Sequence, residues 1–174
     1  MSTKISASAA LPVTTMVLRI LIVLNWVGAA VIVGLLVLPH REWLLTSFKL
    51  SPSPDADQLV MGMRTIAVLG LAVIPVNHAI LKRLVSIVRT VQSGDPFVAA
   101  NASRLQVIAW LLLTLQVISI VIGAIANAIS SPAHPVHIDA GFSINGWLAV
   151  LLTFLLARVF AEGTVMREDL EGTI

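Results

Sequence analysis

The amino-acid sequence predicts an all-α fold, an integral membrane four-helix bundle with its N-terminus and C-terminus in the cytoplasm. Three observations lead to this reading. Of the 174 residues, 57% are hydrophobic and 11% are charged, whereas soluble domains carry about 25% charged residues. The apolar residues fall in four long runs, and the mean hydropathy is +0.96. The basic residues then sort to one side of a membrane crossed four times.

The first run, Ile20–Leu38, carries no charge and approaches the roughly 20 apolar residues that cross about 30 Å of hydrocarbon. A cleaved signal peptide has a shorter apolar core followed by small residues. This run instead ends in Leu38-Pro39-His40-Arg41-Glu42-Trp43, so it reads as a retained span. The second run, Thr65–Leu81, is bracketed by Arg64 and by Lys82 with Arg83. It contains Pro75, which is expected to kink the helix and free a carbonyl. The third run is Leu105–Ile129, long enough to span with tilt. The fourth, Gly141–Ala157, is closed by Arg158. Flanking helix character extends the spans to 17–38, 64–91, 103–129 and 141–160 within one transmembrane domain, 16–160. Residues 1–15 read as a flexible cytoplasmic N-terminus and 161–174 as a cytoplasmic tail.

With the N-terminus inside, Lys4, Arg19, Lys82, Arg83, Arg89, Arg104, Arg158 and Arg167 are cytoplasmic, while Arg41, Lys49 and Arg64 are outside. That asymmetry obeys the positive-inside rule. The net charge of +2 is too small and too dispersed for direct nucleic acid binding. The absence of cysteine excludes disulfides and thiolate metal sites. No internal repeat or separate soluble domain is evident.

The connections carry their own signals. Trp43, Leu44, Leu45, Phe48 and Leu50 suit a short interfacial helix. Ser51-Pro52-Ser53-Pro54 breaks it, and Asp55 or Asp57 is a candidate cap for the next helix. In Ser93-Gly94-Asp95-Pro96-Phe97, Gly94 is expected to end one helix in the left-handed conformation. Asp95 is expected to cap the next, with Pro96 in its first position and Asn101 as a second candidate cap.

Polar residues inside spans are costly and mark candidate functional positions, here Asn25, Asn77, His78, Gln116 and Asn127. Interhelical hydrogen bonding is the structural reading, and a polar path through Asn25, Asn77, His78 and Gln116 is the functional one. The spacing to Lys82 sets His78 near the cytoplasmic boundary. No Asp or Glu lies within a span, which argues against carboxylate-driven ion coupling. In the second outside loop His134, His137 and Asp139, with His40 on the same side, form the one metal-like cluster, of a kind that zinc accepts. Ala30 with Gly34, and Ala124 with Ala128, have the small-xxx-small spacing that lets helices approach closely. They are expected to pack within the bundle or to join protomers of a homo-oligomer. No nucleophile–base set, phosphate loop or paired carboxylate appears, so the chain reads as no enzyme and implies no cofactor.

Taken together, Ser93-Gly94-Asp95-Pro96-Phe97 with Asn101, Arg104 and Leu105, and Phe160-Ala-Glu-Gly followed by Arg167-Glu-Asp-Leu and the closing Gly-Thr-Ile, resemble a bacterial membrane family, domain-of-unknown-function family 2975. The resemblance covers residues 16–174. It implies four helices in the bacterial cytoplasmic (inner) membrane, no catalytic residues, and a small helix-turn-helix transcriptional regulator as candidate partner beside the lipid bilayer. The expected function is a non-enzymatic sensor or membrane partner of that regulator. Its expected interaction face comprises Asp95, Phe97, Arg104, Phe160, Glu162, Arg167, Asp169 and Leu170. The alternative is a small oligomeric channel or transporter.

Overall fold

The computed structural model describes residues 3–37, 54–130, 136 and 138–171, with side chains described within 11–37, 57–130, 136 and 138–169. Among the described residues the chain forms four helices, α1 (Thr3–Val37), α2 (Pro54–Gln92), α3 (Ala99–Ile129) and α4 (Ile144–Glu171), and no strand. Each is long and apolar enough to cross a membrane. Helices are the natural outcome, because hydrocarbon offers no partner to an unpaired backbone group. The hydroxyls in the spans follow the same rule. Thr15, Thr65, Ser86, Thr114, Thr153 and Thr164 each donate to the carbonyl four residues earlier.

The helices extend beyond the apolar runs. α2 has 39 residues, about 58 Å at 1.5 Å per residue, nearly twice the hydrocarbon thickness of about 30 Å. It continues through Pro75 as helix. Asp55 and Asp57, expected as caps, instead lie in its first turn behind Pro54, where a rigid φ and acidic residues both suit a helix start. α1 starts at Thr3, well before the apolar run, and α4 continues through the tail to Glu171. The expected interfacial helix around Trp43–Leu50, together with His40, Arg41 and Lys49, lies outside the described residues.

Packing follows chain order. α1 packs on α2, α2 on α3 and α3 on α4; among the described residues no other pair of helices touches. The bundle is therefore open between its first and last helices. Lipid permits this, since an apolar face is as well solvated by acyl chains as by another helix. All three pairs are antiparallel. Thr15 meets Gln92, Trp26 meets His78 and Gly70 faces Ile32; Asn101 meets Thr90 and Gly62 faces Ile129. Trp110 meets Phe154, Gln116 faces Gly146, and Gly123 abuts Ala140 and Gly141. The start of α1, the end of α2, the start of α3 and the end of α4 thus share one end of the bundle, called here the turn end.

Close approach uses different small residues from those the spacing suggested. Ala30, Ala124 and Ala128 are exposed and Gly34 is half-buried, while Ala29, Ala109 and Ala126 are buried. A shift of one or two residues rotates a side chain by about 100° or 200° around a helix, so the i,i+4 pattern alone did not identify the contacting face. At Gly123 an added Cβ would lie 2.7 Å from the Ala140 carbonyl oxygen and 2.8 Å from Gly141 Cα. One turn earlier, the Ser119 hydroxyl accepts from Gly141 N–H at 3.1 Å and donates to its carbonyl at 3.3 Å. Gly141 has φ +134°, a conformation that side chains resist. Ser119 and Gly123 together seat the segment that leads into α4.

A comparison of glycines tests this packing. Gly123→Ala meets rigid backbone and is expected to lower the melting temperature in detergent by several degrees, the equivalent of roughly 2 kcal/mol. Gly28→Ala has nothing within 4 Å of the added Cβ and is expected to leave the melting temperature unchanged or slightly raised. Equal melting temperatures for the two variants would contradict the register of α3 on the loop before α4.

Candidate functional site

The turn between α2 and α3 is built around two residues. Gly94, at φ +85°, ends α2. Its N–H bonds to the Val91 carbonyl at 3.1 Å, and the Asp95 N–H reaches back to Thr90 at 3.1 Å. This reciprocal pair is a Schellman motif, which satisfies two of the orphan carbonyls of the helix end. Asn101 is the second residue. It is fully buried at 0% exposure. Its Nδ2 donates to Thr90 Oγ1 at 2.7 Å and to the Pro96 carbonyl at 2.9 Å, and its Oδ1 accepts from Arg104 Nη1 at 2.7 Å.

These bonds correct two expectations. α3 begins at Ala99 with Val98 at the cap position and no side-chain cap, so neither Asp95 nor Pro96 opens it. Asn101 lies inside the first turn and ties α2, the turn and α3 together rather than capping the helix end. Asp95 is thereby released for another partner.

That partner is the tail. The last turns of α4 lie across the turn, with Asp95 paired to Arg167. The Phe97 and Phe160 rings pack at 5.2 Å between centroids, tilted by 36°. Gly163 makes room for this contact, since a Cβ there would come within 3.0 Å of the Phe97 ring. Phe160, Gly163, Thr164 and Arg167 lie at helical spacing on one face of α4, and Thr164 is buried. The turn and tail motifs, more than sixty residues apart in sequence, form one assembly.

The remaining expected interaction residues divide. Arg104 is half-buried and serves the Asn101 node. Glu162 pairs with Arg158 at 3.0 Å on the exposed side of α4. Asp169 is exposed, and the Leu170 side chain lies outside the described residues. The missed members are Thr90, Gly163 and Thr164. Their signal was weak, because a small or hydroxyl residue near a helix end has many roles. Beyond the turn, α4 exposes Val165 and Met166 at 56% and 64%, next to the exposed carboxylates of Glu162 and Glu168.

The polar span residues do not converge. Asn25 Nδ2 donates to the carbonyl of Ile74, just before Pro75, at 3.1 Å. Trp26 Nε1 donates to His78 Nδ1 at 3.3 Å, with the rings edge-to-face at 5.7 Å. Both bonds join α1 to α2. Asn77 is half-buried on α2, whereas Gln116 faces Gly146 across the α3–α4 interface and Asn127 is exposed.

Carried across the bundle, the registers set Arg19, Arg104 and Arg158 beside Ser86–Arg89, within about one helical turn of each other. His78 lies about nine residues from that basic belt, ~13 Å along α2. Lys82 and Arg83 lie between the two. Arg83 Nη1 even donates one turn deeper, to the Ala79 carbonyl at 3.0 Å. Of the expected metal ligands, His134 and His137 fall outside the described residues, and Asp139 is exposed; the described residues hold no metal-like group of three.

Four apolar, antiparallel helices with a polar latch at one end define a multi-pass α-helical membrane protein. Over residues 9–174 the chain matches the family model described as protein of unknown function (DUF2975), and it belongs to that family. No curated protein and no solved structure matches it.

A double-mutant cycle tests the latch. Asp95→Asn, Arg167→Gln and the pair are each expected to raise amide exchange across residues 160–169. The pair should add little to either single change, because each removes the same interaction, worth about 0.5–1 kcal/mol at this exposure. Fully additive effects would show that Asp95 and Arg167 act apart.

Proposed function

We propose that this protein is a non-enzymatic sensor or membrane partner of a small cytoplasmic helix-turn-helix regulator, with the latched tail as the face it presents. The observation that carries this reading is the exposed surface of the last turns of α4. Val165 and Met166 are exposed about two helical turns past Arg158, towards the end of α4, and are flanked by Glu162 and Glu168. An apolar centre with an acidic rim is an interface pattern. Its charge complements a DNA-binding regulator, whose own surface is basic.

The orientation supports the same reading. Arg19, Lys82, Arg83, Arg89, Arg104, Arg158 and Arg167 stand at the turn end, against Arg64 at the opposite end among the described residues. Under the positive-inside rule this asymmetry supports a cytoplasmic turn end, as the reading of a bacterial inner-membrane protein requires. The latch gives the tail a fixed pose, which lowers the ordering cost of binding. The alternative, a small oligomeric channel or transporter, has less support. Asn25 and His78 are engaged in bonds between α1 and α2, whereas Gln116 lies at the α3–α4 interface, so its polar residues do not converge.

Co-purification with a small helix-turn-helix regulator, sought among the products of the neighbouring genes, tests the proposal. Val165→Ser with Met166→Lys is expected to reduce recovery by about tenfold, as loss of an apolar anchor should, with membrane insertion unchanged. Undiminished recovery would overturn the assignment of this face.

A further inference from the structure

A groove of about 350 Å³ runs between α3 and α4 at the turn end, lined by Ala102, Ser103, Gln106, Phe154, Ala157 and Arg158. Its floor is made of alanines and one aromatic ring, while its rim carries a hydroxyl, a carboxamide and a guanidinium. The registers put this rim level with the basic belt, and Arg and Lys near span ends reach for the headgroup interface. Phe154 lies one turn deeper than Arg158, and Glu162 one turn further out.

The rim groups are available. Arg158 uses Nε for Glu162, so both terminal amino groups remain, and these are the donors that engage phosphate oxygens. Glu162 likewise accepts through one carboxylate oxygen. Ser103 departs from the habit of this chain. Every other serine or threonine with a described side chain hydrogen-bonds within the protein, whereas the exposed Ser103 hydroxyl has no such bond. A hydroxyl at the bilayer boundary that forgoes the nearby backbone carbonyl is free to donate into the groove.

We infer that this groove holds one phospholipid with an ethanolamine headgroup. Its phosphate is bound by the Arg158 terminal amino groups with Ser103 and Gln106, and its ammonium by Glu162. Its acyl chains lie along Ala157 and Phe154. The order of charges selects the headgroup. Cation and then anion, one turn apart and moving outward, complement phosphate and then ammonium. A purely anionic headgroup would meet the Glu162 carboxylate, and a choline headgroup has no N–H to donate to it. The inference shares Glu162 with the acidic rim of the regulator face but does not rest on that proposal, since it uses neither Val165 nor Met166.

Native mass spectrometry of the full chain, released from detergent with phosphatidylethanolamine, phosphatidylglycerol or phosphatidylcholine of identical acyl chains, tests it. One phosphatidylethanolamine is expected to be retained about tenfold better than either other lipid, the equivalent of one charge-assisted hydrogen bond. Arg158→Gln with Ser103→Ala should abolish that preference. Glu162→Gln should reverse it towards phosphatidylglycerol, a gain that misfolding cannot imitate. Arg19→Gln, in the same belt but on α1, should change nothing. Equal retention of the three lipids would overturn the inference, as would an unchanged preference in Glu162→Gln or an equal loss in Arg19→Gln. Displacement by excess soluble glycerophosphoethanolamine would overturn the assignment to a membrane lipid.

Discussion

The buried carboxamide of Asn101 is the constraint on which the turn end depends. It satisfies the Thr90 hydroxyl, the Pro96 carbonyl and an Arg104 donor at once, with no solvent exposure. Leaving one such buried group unpaired costs about 1–3 kcal/mol, and no apolar side chain could serve in its place. By joining the last turn of α2 to the first turn of α3, Asn101 fixes the path of the intervening chain. That path aims Asp95 and Phe97 at α4, where Arg167 and Phe160 complete the latch. Gly94 makes the reversal sterically possible, and Asn101 makes it unique.

Elsewhere the structure is governed by lipid rather than by a deep core. Few large side chains are buried, and long stretches of Leu, Ile and Val on α1 and α4 face outward. In water such a surface would aggregate; in hydrocarbon it needs no cover, and specificity passes to close backbone approach and to polar bonds. Gly123 lets backbone approach backbone, while Gly62 and Gly146 leave room for the side chains of Ile129 and Gln116. The Asn25–Ile74 and Trp26–His78 bonds fix α1, the least buried span, to α2. The span polar residues thus act mainly as fasteners of successive helix pairs.

Much of this was legible in the sequence. Apolar runs close to the bilayer thickness marked the four helices, and a glycine before Asp-Pro marked the end of α2. What could not be read was register. Trp26 and His78 are far apart in the chain, and their meeting depends on how α1 slides and rotates against α2. The same gap explains why, of the small residues expected to pack within the bundle or to join protomers, Ala30, Ala124 and Ala128 face out of it while Ala29, Gly123 and Ala126 are buried in it. Asn101 was legible as a residue that bonds backbone but not as a junction, because Thr90 becomes its neighbour only once the hairpin closes. The turn and tail motifs were each visible and were expected on one face, but not that Asp95 would meet Arg167 and Phe97 would meet Phe160.

The central claim is that Asn101 holds the turn in the one shape that receives the tail. Because the chain contains no cysteine, spin labels at Ser93→Cys and Glu168→Cys, both exposed, report the separation of turn and tail without background. Double electron–electron resonance in lipid nanodiscs should give a single narrow distance distribution, and Asn101→Ala should broaden it and shift it to longer distances. A distribution that stays equally narrow and at the same distance in Asn101→Ala would contradict the account.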